Sequence, residues 1–329
     1  MTFPVREDRS PPEPLHAVAA TLLRAVPPLW RRLPRRLRTH SRRIAPVNRA
    51  LMALGGGPLV VADMRAGHRL IVDLRSGTEW FTYYTGEFDD RRIRVARAVV
   101  RRRPGVAVDA GANIGLWTVP LALEAAAAGS RVVAAEPVPA NALRLAENLR
   151  LNGVEAHADI RRVALSDAPG RVTLTLREDF AAGAMTGNAA VLIDDGSDAQ
   201  WDHLEVPAQP LDEVLDDLGR PSVSVIKSDL EGSEDRFLAG ADRTFRSDRP
   251  VALAEWNAVY YDRRETRPTE TTAPLLRDWD YRCLRRDARE WTVDHLFRSN
   301  RPLDNVLLVP AERVEEMIGL LRQTDREPL

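Results

Sequence analysis

The chain has 329 residues, 44% of them hydrophobic and 29% charged, with a formal charge of −1. That balance supplies a large core and excludes a wholly disordered, collagen-like or disulfide-framework protein. A charge near zero argues against a chain built to coat nucleic acid, and no apolar run approaches the roughly 20 residues of a membrane span.

A single cysteine, Cys283, cannot form an intramolecular disulfide, so a reducing cytoplasm is the expected compartment. Met1 to Glu13 carries charges and prolines without the apolar region of a secretory signal. Of the 47 basic residues, all but Lys227 are arginine. The bias reads first as GC-rich codon usage. A lysine kept against it is a candidate for chemistry that a guanidinium does not perform.

Along the chain, residues 1–54 read as a basic helical extension. Between Pro14 and Ala62 stand Arg24, Arg31, Arg32, Arg35, Arg36, Arg38, Arg42, Arg43 and Arg49, with no acid, so the remainder is acidic. Leu22, Leu23, Val26, Leu29, Trp30, Leu33 and Leu37 recur at helical spacings, and Pro27, Pro28, Pro34 and Pro46 are expected to break the segment into short helices. The expectation is an amphipathic segment packed on the main body. A peripheral membrane contact or a grip on an anionic partner are the alternatives.

Residues 55–103 read as lead-in strands and a helix. Gly55-Gly56-Gly57-Pro58 is a hinge, Leu59–Met64 and Arg69–Leu74 are strands, and Ile93–Arg103 is a helix. Residues 104–329 then alternate. Val106–Asp109, Arg131–Ala135, Ile160–Leu165, Val223–Ile226 and Val251–Glu255 are apolar strands. Ile114–Ala128, Ala140–Leu151, Leu211–Leu218 and Glu234–Phe245 are helices between them, and Tyr281–Arg285 and Asn305–Pro310 are the last strands. Arg171–Arg177 alternates like an extra antiparallel strand, and residues 178–203 read as a long loop. The pattern implies an α/β fold with a doubly wound, mostly parallel sheet.

In such a sheet ligands bind beyond the carboxyl ends of the strands. The first strand ends in Asp109, followed by Gly111, Asn113 and Gly115. An acid stands where a dinucleotide fold has its first glycine, which suits an amino group better than a pyrophosphate. The second strand ends in Glu136-Pro137, about 20 residues on, where an acid hydrogen-bonds ribose hydroxyls. A ligand with an amino-acid end and a ribose but no pyrophosphate describes S-adenosylmethionine. Taken singly, Asp109 could cap the next helix and Glu136 could be a solvated loop acid.

The stretches VDAGANIGLWTVPLA, AAEPVPANALRLAENLRLNG, VALSDAPGRVTL, VIKSDLEGSEDRFLAGA and NVLLVP resemble, in order, the motifs of FkbM-type methyltransferases. These are a branch of the class I S-adenosylmethionine-dependent enzymes, and the resemblance runs from Thr82 to Pro310. It implies a Rossmann-like seven-stranded sheet and methylation of a hydroxyl, on a sugar or another natural-product scaffold. It also implies that Asp109, Gly111, Ala112, Asn113 and Gly115 cradle the methionine end. Glu136 would then hold the ribose, with Pro137 beside the adenine and Ala164 at its edge. The lead-in TYYTGEF makes Tyr84 and Glu87 further candidates over the cofactor. The basic extension has no counterpart in these motifs.

On the transfer side, the fourth strand ends in Lys227-Ser228-Asp229 and the fifth in Glu255. Asp229 is placed to take the acceptor's proton, Glu255 could do the same, and Lys227, two residues before Asp229 on one strand face, could orient it. Asp229, Glu231 and Glu255 could also assemble a Mg²⁺ site, but no histidine accompanies them and a metal-free mechanism is expected. His157, His203 and His295 are isolated in sequence. Trp201, Trp256, Tyr260, Tyr261 and Trp291 are either pocket walls or core. The expected function is an O-methyltransferase with a small-molecule hydroxyl acceptor and no nucleic-acid partner. A nucleic-acid methyltransferase using the arginine segment, or a non-catalytic binder of the cofactor, are the alternatives.

Overall fold

The structure, a computed structural model, describes residues 14–34, 41–54, 58–103, 105–177, 180, 183–184, 186–285, 289–291 and 303–326. The segment Val106–Ala110 (β3) is buried at every position, as a parallel strand covered on both faces must be. It lies at the centre of a sheet with Val132–Ala135 (β4) and Ala158–Arg161 (β5) on one side and Val223–Ser228 (β10) and Val251–Asn257 (β11) on the other, all parallel.

Beyond β11, Leu303–Pro310 (β14) runs antiparallel and pairs with Tyr281–Leu284 (β12). These seven strands form the expected mostly parallel sheet, with the two-residue strand Glu290–Trp291 (β13) added at its edge. The chain leaves β3 toward β4 and returns through β10 on the opposite side. The switch point therefore lies between the carboxyl ends of β3 and β10.

Several stretches differ from the sequence reading; the expected helix Glu234–Phe245, for one, is two, Glu234–Ala239 and Asp242–Ser247. Ile160–Leu165 is split: β5 stays in the main sheet, and Ala164–Leu165 (β6) begins a second one. The expected loop 178–203 holds the short strand Ala189–Val191 (β8) and the start of Asp202–Gln209 (β9). Together with Gly170–Leu176 (β7), these strands make a four-stranded sheet in the order β6-β9-β7-β8. Glycine and aspartate obscured the pattern, because a short strand here is held by its neighbours rather than by its own propensity. A further difference is the helix after β3, Thr118–Ala128 (α5), which begins at Thr118 rather than Ile114 and leaves 111–117 as a turn.

Pro27, Pro28 and Pro46 do not break the basic segment, while Pro34 lies beyond the end of its first helix. One helix runs Pro14–Arg31 (α1) through Pro27 and Pro28, and another runs Ser41–Ala53 (α2) through Pro46. Proline lacks the N–H that would bond the carbonyl four residues back. The carbonyl freed by Pro27 is that of Leu23, and it accepts a hydrogen bond from the Tyr83 hydroxyl at 2.5 Å. Arg31 in turn donates to the carbonyls of Tyr83 (2.7 Å) and Tyr84 (3.3 Å), the last turn of the helix Gly77–Thr85 (α3). A cation at a helix C-terminus is favoured by the carbonyl dipoles.

Hairpin strands Leu59–Asp63 (β1) and Arg69–Asp73 (β2) and the helix Asp90–Arg102 (α4) follow in the expected places. A single apolar cluster joins Leu23, Ile44, Leu70 and Tyr84 to Val99, Leu121 and Leu320. The free Cys283 is buried in β12.

Candidate active site

A cavity of about 410 Å³ opens at the switch point. Gly111, Ala112 and Asn113 line it after β3, and Glu136 and Pro137 line it after β4. Val163, Ala164 and Leu165 form a third edge, and Lys227, Asp229 and Glu255 face it from β10 and β11. The tertiary structure thus brings together most of the residues singled out above.

Glu136 is enclosed by amides. It accepts from the backbone N–H of Asn113 (2.8 Å) and Val138 (2.9 Å) and from the Asn141 side chain (3.3 Å). Burial pushes its carboxyl up to about 7 against these bonds. Asn113 takes a left-handed backbone (φ 49°) and donates through Nδ2 to Asn188 at 3.1 Å, while its buried Oδ1 has no protein partner.

That roof over the cavity is the segment 186–191. Asn141 holds the backbone of Gly187 (2.9 and 3.2 Å), and the Thr186 hydroxyl donates to Glu79 at 2.6 Å. The acceptor set fits S-adenosylmethionine: a buried acid and an asparagine whose amide oxygen has no protein partner both line the cavity, where a ligand would offer hydroxyls and an ammonium.

Asp109, Gly115, Tyr84 and Glu87 do not line the cavity. Asp109 is fully enclosed beneath the loop, where it accepts from the Thr118 hydroxyl at 2.6 Å. Its other oxygen lies 3.4 Å from Lys227 Nζ. Burial raises its pKa, and Lys227 and Thr118 oppose the rise. From there the acid shapes the loop, and its Oδ1 has no hydrogen-bond partner within the protein.

Gly115 (φ 94°) sits where a Cβ would come within 2.7 Å of the Leu145 side chain on the helix Pro139–Leu151 (α6). Gly111 (φ 76°) is tighter still: a Cβ would lie 2.1 Å from the carbonyl oxygen of Asp229. Its bareness allows the two loops to touch. Tyr84 points to the extension, its hydroxyl 3.3 Å from Asn48, and Glu87 pairs with Arg65 at 3.5 Å.

Lys227 is a buried ammonium. It donates to the carbonyls of Gly111 (2.7 Å) and Ala110 (3.3 Å) and lies 3.8 Å from Asp229 Oδ2. Burial works against its charge, but Asp109, Asp229 and Glu255 together hold its pKa above the ordinary lysine value.

The far wall carries Phe88, Asp89, Arg92, Trp117 and Glu231, of which sequence reasoning had singled out only Glu231. Arg92 bonds Asp89 at 2.6 Å and Asn305, lies 3.6 Å from Glu255, and stands 5.7 Å over the Trp117 ring. Burial, then the charge of Asp229, pushes Glu255 up to about 7 against Arg92 and Lys227. Glu231, strained at φ 50°, is pushed to about 8 by burial and then by Asp229, Glu255 and Glu234. The one signal for this wall was charge: Asp89 and Arg92 frame the start of α4.

Among the described residues no group of three histidine, cysteine, aspartate or glutamate side chains is placed to hold a metal. Two of the aromatic candidates are core, Trp256 stacking on Tyr261 at 4.8 Å, and half-buried Tyr260 accepts from Arg177 at 2.6 Å. Trp201, His157 and His203 lie off the cavity wall. His295 and the Trp291 side chain lie outside the described residues.

The methyltransferase FkbM domain family matches residues 109–283. Among solved structures the chain is similar to an FkbM methyltransferase from Methylobacillus flagellatus, at 20% identity and a TM-score of 0.39. That alignment covers 62% of this chain and 43% of that one, so this chain spans less than half of that protein's length. It is also similar to TYW2 of M. jannaschii in complex with AdoMet (13%, TM-score 0.38, 77% and 85%). A third is a precorrin-6y C5,15-methyltransferase from Geobacter metallireducens (15%, TM-score 0.32, 66% and 87%). No curated protein sequence matches the chain. The family match takes in more than half of the chain, from Asp109 at the end of β3 to Cys283 in β12, and so the chain belongs to the FkbM methyltransferases, a family dependent on S-adenosylmethionine.

Proposed function

We propose that the protein is an O-methyltransferase acting on a hydroxyl of a small molecule, a sugar or another natural-product scaffold. The observation that supports this is one cavity in which Asn113 and Glu136 face Asp229, Lys227 and Glu255. When bound, S-adenosylmethionine supplies an electrophilic methyl group on a sulfonium. Glu136 accepts from ribose hydroxyls, and the free Oδ1 of Asn113 accepts from the ligand's ammonium.

On the other side, Asp229 accepts the proton of the acceptor hydroxyl and Glu255 holds that hydroxyl in line, which is the geometry a displacement requires. Lys227 keeps both loops in register through its bonds to Ala110 and Gly111. A wall of carboxylates with Trp117 and Phe88 between them suits a polyhydroxylated ring: oxygens accept from hydroxyls, and aromatic faces cover its C–H side.

Asp229→Asn tests the reading. It should bind S-adenosylmethionine as the wild type does in calorimetry and lose about 10²–10⁴ in turnover on a hydroxyl acceptor. Unchanged turnover would return Asp229 to a structural role.

A further inference from the structure

The amphipathic N-terminal helices are only half used by the core. Leu23, Ile44 and Leu51 are buried against the body, and Val26 and Trp30 pack on the same cluster. Other large apolar side chains of the segment and of the neighbouring strand β1 are left exposed. Among the described residues, large hydrophobics exposed by more than a third are Leu22, Leu29, Leu33, Leu54, Leu59 and Val61 here, against only Leu143 and Val259 elsewhere.

Leu22 and Leu29 are seven residues apart on α1, and so form one stripe. Leu29 is 60% exposed. The exposed arginines Arg24, Arg32, Arg43 and Arg49 stand on or next to the same two helices, Arg32 three residues from Leu29 on its face, with no acid between Pro14 and Ala62. Arg31, by contrast, is spent on the carbonyls of α3. The helices are therefore anchored from behind, and their free face combines leucine with uncompensated positive charge.

We propose that this face is a docking surface for an anionic phospholipid membrane. Charge complementarity selects the occupant: arginines meet lipid phosphates, while the leucines enter the boundary between headgroups and acyl chains. Nucleic acid would use the same arginines but give the leucines nothing to bury in. A second copy of the chain would bring arginines against arginines. The body is held at the surface without a spanning segment; no described helix is long and apolar enough to cross a membrane. The proposal is independent of the acceptor's identity.

The test is co-sedimentation with vesicles of phosphatidylcholine mixed with phosphatidylglycerol, and with phosphatidylcholine alone. The wild type should pellet with the anionic vesicles at least about tenfold more than with the neutral ones, and added salt should weaken this. The double variants Leu22→Ser/Leu29→Ser and Arg24→Gln/Arg49→Gln should each lose about tenfold or more in partition while binding S-adenosylmethionine normally. Equal recovery with both vesicles would overturn the proposal. So would leucine variants that pellet like the wild type, or light scattering showing a dimer that the leucine variant dissociates.

Discussion

Lys227 illustrates how one side chain serves two loops. Its ammonium reaches Gly111, Ala110, Asp109 and Asp229 within 3.8 Å, in a space where only 8% of the side chain is exposed. A guanidinium is planar and larger, so it fits neither the space nor the pair of carbonyls. Lys227→Arg should keep its affinity for S-adenosylmethionine and lose at least about tenfold in turnover, roughly 1.4 kcal/mol of transition-state stabilisation. Arg243→Lys, on the surface helix Asp242–Ser247, is the control. Equal rates in both would show that the lysine's uniqueness is an accident of composition.

Glu255 adds a pH signature. Facing it are Asp229, Arg92, Lys227 and Asp89, and its carboxyl is pushed up to about 7. A carboxyl accepts from a hydroxyl through both oxygens only when ionised, so turnover should rise with pH through about 7. Glu255→Gln should flatten that limb; a rise that persists in the variant would assign the titration to another group.

At the scale of elements, α1 runs on through Pro27 because a neighbour supplies what that proline lacks. The Leu23 carbonyl is buried, and its partner is the Tyr83 hydroxyl on α3. Tyr83→Phe leaves that carbonyl unpaired at a cost of about 1–3 kcal/mol. The loss should appear as a lower denaturation midpoint, whereas Leu59→Ser at the exposed start of β1 should change it little. An unchanged midpoint in Tyr83→Phe would mean that α1 is held by its apolar face alone. The roof segment 186–191 is pinned in the same manner, by polar side chains from α3 and α6 and not by strand propensity.

Across the whole molecule, Glu79 joins the lead-in to the roof. It accepts from the Asp73 N–H and the Thr186 hydroxyl, both at 2.6 Å, and burial pushes its carboxyl up to about 7. A carboxyl whose folded pKa is raised contributes stability that is fully present below its unfolded pKa and is lost as pH rises through the folded one. Glu79→Gln removes this dependence. The stability of the variant relative to the wild type should therefore improve by about 1–3 kcal/mol between pH 4.5 and pH 8. A difference that does not vary with pH would show that Glu79 ionises as freely in the fold as in the unfolded chain.

The strand ends were legible because a buried parallel strand is written as a short apolar run with its first polar residue at the carboxyl end. Glu136, Lys227 and Glu255 stand at or beside such ends, and Asp229 follows the lysine; all four line the cavity. Asp109 carries the same signature and yet faces inward, because the turn after β3 folds over it and Thr118 satisfies its oxygen. Nothing local separates those two outcomes.

The far wall of Phe88, Asp89, Arg92 and Trp117 comes from two segments that each read as ordinary helix starts, and their convergence is a long-range contact. By itself the sequence determined the alternation of strands and helices, the switch point and the acids around it, since these rest on periodicity and chain order. Tertiary structure alone decided the continuity of α1 through its prolines, the roof and the orientation of each carboxylate. Each of these depends on a hydrogen-bond partner or a packing surface tens of residues away.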